Sequence, residues 1–123
     1  MSDDFGLNDE QRALILEILS TAQDSIEQVA VFGSRTQGRH RQNSDLDLVL
    51  YGSVDEAVCD RLWTLFHESR LPFAVDVISY DVTTYVPLRA HIDAVARPLF
   101  VHTEHGLIPV EESFKELGLP PLP

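Results

Sequence analysis

GSRTQGRHRQNSDLDLVLY, residues 33–51, decides how the rest of this chain is read. Its second half alternates: Leu46, Leu48 and Leu50 fall on one side of an extended segment, and Asp47, Val49 and Tyr51 on the other. Period-two alternation predicts a strand over 46–51, and Asp45 and Asp47, two positions apart, share a face. Just upstream, Val29-Ala30-Val31-Phe32 is a continuous apolar run ending at Gly33, as expected of a short strand covered on both faces.

Outward from this pair, strands and helices interleave. Asn8 or Asp9 can cap a helix over 8–24, with Leu14, Ile15, Ile18, Leu19 and Ala22 recurring at helical spacing. A second amphipathic helix is predicted over about 55–70, with Val58, Leu62, Leu65 and Phe66 inward and Pro72 as its stop. FAVDVI, residues 73–78, reads as a third strand, followed by a helix over 88–96 with Leu88, Ile92 and Val95 inward and a short strand at 99–101. About one helical turn around Phe114 and a proline-rich surface tail over about 118–123 close the chain. This order implies an α/β (α+β) layer fold, with helices over a small sheet. At 123 residues, a single domain spanning 1–123, with its core at about 8–101, is the expectation.

Bulk properties exclude several function classes. No apolar run approaches the roughly 20 residues needed to span a bilayer. The start, MSDDFGLNDEQ, is acidic where a secretory signal is basic and then apolar, and the lone Cys59 has no internal disulfide partner, so a cytoplasmic setting is expected. Nine basic against twenty acidic side chains leave a net charge of -11, which repels a long phosphate backbone and argues against stable nucleic-acid binding.

Two ionised carboxylates on one strand face repel, and burying one unpaired is expensive. A cation resolves this, and Mg²⁺ is suited because it takes hard oxygen ligands and completes its octahedron with water and substrate phosphate. A polar turn leading into a solvated edge strand explains Asp-x-Asp equally well. The residues before it favour a phosphate ligand. Gly33 lets the backbone approach a bulky anion, Ser34 and the following amides can donate to phosphate oxygens, and Arg35, Arg39 and Arg41 put three cations within seven positions. Asp76, inside an apolar strand, is a third candidate acid. If its strand neighbours 46–51, it can join Asp45 and Asp47 in holding two Mg²⁺ ions roughly 3.5–4 Å apart. His102 and His105 have a spacing that zinc sites sometimes use, but no third ligand lies nearby, so surface positions are expected.

The fuller pattern G-S-R-x-x-G-x-x-x-x-x-S-D-x-D-L, here Gly33, Ser34, Arg35, Gly38, Ser44, Asp45, Asp47 and Leu48, resembles the DNA polymerase β nucleotidyltransferase superfamily. More narrowly, the chain resembles the minimal nucleotidyltransferases, the MNT antitoxins of MNT/HEPN toxin–antitoxin pairs. His40-Arg41-Gln42 departs from the small or acidic residues that relatives often carry there. The resemblance implies a mixed sheet with flanking helices and a triphosphate site at Gly33, Ser34 and Arg35. It also implies metal binding and catalysis by Asp45, Asp47 and Asp76, and transfer of AMP from ATP, with Mg²⁺, to a tyrosine hydroxyl of a HEPN-domain toxin, in a possible hetero-oligomer with it. Two other functions fit the same residues: an antitoxin that binds without catalysis, and a small-molecule nucleotidyltransferase of the aminoglycoside type.

Overall fold

The computed structural model describes residues 5–36 and 44–116, the side chains of 114–116 aside. Four helices and a five-stranded mixed sheet account for most of them. Helix α1 spans Asp9–Ser20, and the cap is Asn8: its side chain accepts from the Gln11 amide while the Gln11 side chain accepts from the Asn8 amide, a reciprocal capping box. The helix stops four residues short of the predicted end. Thr21 Oγ1 takes the Ile18 carbonyl, and a 3₁₀ turn at Gln23–Ser25 redirects the chain.

Strand β1, Ile26–Phe32, is three residues longer than expected and lies at the centre of the sheet. It pairs antiparallel with β2, Leu46–Gly52, on one side and with β4, Arg97–Thr103, on the other. Beyond β2 lies β3, Val75–Ser79, parallel to it, and beyond β4 lies β5, Gly106–Pro109, so the strand order is β3-β2-β1-β4-β5. Helix α2, Glu56–His67, makes the connection a parallel crossover and ends well before Pro72, where Ser69 Oγ donates to the Phe66 carbonyl. Helix α3, Val86–Val95, begins with Pro87 in its first turn, where the missing N–H is no loss.

The sheet's two faces carry separate cores. Leu46, Leu48 and Leu50 pack with Val29, Val31, Ile15, Leu19, Leu62 and Phe66 beneath α1 and α2. On the other face Ala30 and Val49 meet Ile92 of α3, with Phe32, Tyr51 and Ile78 at the margin. Double coverage explains why Val29–Phe32, within β1, reads as an unbroken apolar run.

Strand β5, Gly106–Pro109, was not expected. Thr103 and Gly106 pair directly across Glu104-His105, making a two-residue hairpin with Gly106 at φ 90°. His102 and His105 therefore sit exposed on that hairpin, and His105 Nε2 lies 3.6 Å from Glu104 Oε1. Helix α4, Val110–Glu116, follows; the expected tail at about 118–123 lies outside the described residues. No helix among the described residues is long and apolar enough to cross a membrane.

Candidate active site

At one end of the sheet, strand register gathers the acids. Asp47 is the partner of Asp76 across the parallel β2–β3 ladder and of Phe32 across the antiparallel β1–β2 ladder. Register partners point to the same face, so Asp47 and Asp76 stand side by side, roughly 4.8 Å apart in the strand-to-strand direction. Asp45 precedes β2 and belongs to the same face two residues upstream. Asp45 and Asp76 are exposed, and Asp47 is half-buried between them and β1.

The electrostatics follow from that placement. Burial, then the charges of Asp76 and Asp45, raise the pKa of Asp47 above the usual carboxylate range. The folded state thus holds the Asp47 proton more tightly than the unfolded chain. Stability attributable to this group falls as pH rises from the ordinary carboxylate range through the raised value, and stays lowered above it. Asp47→Asn, which carries no charge, is expected to melt above the wild type at neutral pH in EDTA. The gap should close in acid, below the ordinary carboxylate range. Thermal melts across that range test this, and a gap that does not change with pH contradicts it.

Gly33 begins a 3₁₀ turn, Gly33–Thr36, at the end of β1. Its φ of 80° favours glycine, and a Cβ built there would overlap Asp47 Oδ2. The turn therefore rests against the middle carboxylate. Thr36 Oγ1 closes the turn on the Gly33 carbonyl at 2.7 Å, and Ser34 is left exposed beside it.

Arg35 is placed otherwise than expected. It is 1% exposed. Nη1 donates to the Phe5 carbonyl at 2.7 Å, Nη2 and Nε donate to the Ser44 carbonyl at 2.7 and 3.2 Å, and Cζ lies 4.5 Å from the centre of the Phe73 ring. Burial lowers its pKa and the nearby Asp45 opposes that shift. Its expected place at the triphosphate is thus corrected: the side chain turns inward, because two backbone carbonyls and an aromatic face satisfy it there. Nothing in the local sequence pattern points to Phe5, thirty residues away, as its acceptor. Gly38, Arg39 and Arg41 lie outside the described residues.

Among the described residues, no three His, Cys, Asp or Glu side chains stand close enough to enclose a metal ion unaided. Asp45 stands outside the ladder that aligns Asp47 with Asp76. The donor set still suits Mg²⁺, which commonly takes one or two protein carboxylates and leaves its other positions to water and phosphate. Elsewhere, Cys59 is buried with its thiol pKa raised by desolvation and by Asp60, Asp55 and Glu56, as for an inert core residue. Phe66 is core, while Trp63 is 46% exposed and stacks on His67.

A mixed sheet with acids aligned beside a glycine-serine turn is the architecture of a nucleotidyltransferase domain. Residues 14–105 match the model of the family described as polymerase beta, nucleotidyltransferase, and the chain belongs to that family. It is 40% identical over 58 residues to a probable protein adenylyltransferase MntA of Haemophilus influenzae, an alignment covering 46% of this chain and 51% of that protein. The match thus spans about half the length of that curated relative. Among solved structures, a toxin-antitoxin with AMP-PNP superposes with a TM-score of 0.61 at 21% identity, covering 76% of this chain and 75% of that one. A mutant of the toxin-antitoxin MntA-HpeT gives a TM-score of 0.60 at 22% identity over 80% of this chain and 76% of that one. These two likenesses are of fold.

Proposed function

We propose that the chain is an antitoxin that transfers AMP from ATP to a hydroxyl, a tyrosine, of a partner HEPN-domain toxin in the cytoplasm, within a hetero-oligomer of the two. The observation that carries this reading is the alignment of Asp47 with Asp76, with Asp45 two residues upstream, against a turn that begins at Gly33 with a φ that favours glycine. Family membership and the 40% likeness to a protein described as an adenylyltransferase support it.

Asp45 and Asp47, with Asp76 beside them, would hold Mg²⁺, which when bound neutralises triphosphate charge and favours ionisation of the attacking hydroxyl. Ser34 and the amides of its turn would donate to phosphate oxygens. The hydroxyl oxygen of the acceptor attacks the α-phosphorus, the bond to pyrophosphate breaks, and the exposed Asp76 accepts the hydroxyl proton. Asp47, wedged between Gly33 and Asp76, holds the turn and the two strands in one geometry. A net charge of -11 disfavours a nucleic-acid acceptor and suits a basic protein one.

Incubation with labelled ATP, Mg²⁺ and the product of the adjacent gene tests this. Label is expected on a tyrosine of that partner. A tight complex that stays unlabelled would instead support an antitoxin acting by contact, and label on a small molecule alone would refute the protein acceptor.

A further inference from the structure

We propose that Arg35 is a positioning residue for this reaction: its buried guanidinium ties the phosphate-facing turn to the backbone before Asp45 and to the segment before Asp76, and so sets the relative placement of the acids. This rests on the reading above. The residue itself belongs to the turn Gly33–Thr36. Two of its nitrogens fork onto the carbonyl of Ser44, whose next residue is Asp45. Its flat face lies on Phe73, three residues before Asp76 on the way into β3. Nη1 donates to the carbonyl of Phe5, which is held at φ 55°, the only non-glycine residue at positive φ among the described residues. A strained backbone persists where its surroundings over-determine it.

The choice of arginine fits this role. Burying a cation is unfavourable unless its donors are satisfied, and an apolar side chain would fill the same space without that difficulty. A planar fork with fixed donor directions does what an apolar side chain cannot: it fixes two carbonyls and a ring relative to one another. Lysine, a point charge on a flexible stem, reaches one of them at a time. Residues that orient ligands without touching the ion commonly affect its affinity or the activity by about 10–100-fold.

The test compares wild type, Arg35→Lys, Phe73→Leu and, as a control for lost stability alone, Leu19→Ala in α1, each checked by circular dichroism for a cooperative melt. Mg²⁺ affinity is measured by isothermal titration in the presence of AMP-PNP, alongside kcat and the KM for ATP. Arg35→Lys is expected to weaken Mg²⁺ binding and lower kcat by about 10–100-fold. Phe73→Leu, which keeps both carbonyl contacts, should lose less, and Leu19→Ala should keep wild-type Mg²⁺ affinity. Wild-type Mg²⁺ affinity in folded Arg35→Lys overturns the positioning role while leaving the proposed function intact. Should Arg35→Lys not fold, Phe73→Leu decides, and unchanged Mg²⁺ affinity in it overturns the proposal. Absence of Mg²⁺ binding in the wild type itself counts against the site rather than against Arg35.

Discussion

Asp47→Asn is expected to slow AMP transfer by on the order of 10³-fold or more, with the fold intact. The substitution keeps the shape of the side chain and removes its charge, so the effect isolates electrostatics from packing. Asp47 couples the parts of the site: Asp76 is its register partner, the charge of Asp45 acts on it, and the Gly33 turn packs against it. Removing its charge also relieves the burial cost and the repulsion that together raise its pKa, so the variant should be no less stable than the wild type at neutral pH. Slow transfer in a protein that melts as high as the parent is therefore the expected pair of results. Single-turnover assays with labelled ATP measure the first, and transfer within ten-fold of wild type would remove the proposed mechanism.

Gly33→Ala is expected to affect both quantities. Alanine at φ 80° is strained by about 1–3 kcal/mol, and its methyl group would occupy the position of Asp47 Oδ2. Either the carboxylate swings away or the turn lifts from the sheet. A displacement of about 1 Å in a reacting group can lower the rate by on the order of 10²-fold. Denaturant melts and transfer kinetics on one preparation check both. A variant as stable and as active as wild type would show that the turn and Asp47 are not coupled.

Much of this site was legible from local pattern. Alternation along 46–51 placed Asp45 and Asp47 on one face, and the apolar run 29–32 anticipated a strand covered on both sides, as the two cores show for β1. The adjacency of β3 to β2 was left conditional, because strand order depends on how α2 packs and not on any residue within the strand. The hairpin carrying β5 has a weaker local signal: His102-Thr103-Glu104-His105 has the spacing of a metal site, and only Gly106, at φ 90°, marks the turn. From sequence, Arg35 falls with the expected phosphate ligands because it follows Gly33-Ser34 directly. Its actual partners come from both sides along the chain, Phe5 before it and Ser44 and Phe73 after it, and only folding brings them together.

The parallel ladder between β2 and β3 has a bearing on how such a chain can vary. Residues 68–72, between α2 and Phe73, can change in length or composition so long as Phe73 keeps its place against Arg35 and the two strands meet in the same alignment. A slip of one position would turn Asp76 toward α2 and bring Val75 or Val77 opposite Asp47, erasing the acidic pair although every residue survived. Chemistry here is thus encoded as a phase relation between neighbouring strands, insensitive to much of the intervening text and intolerant of an odd shift.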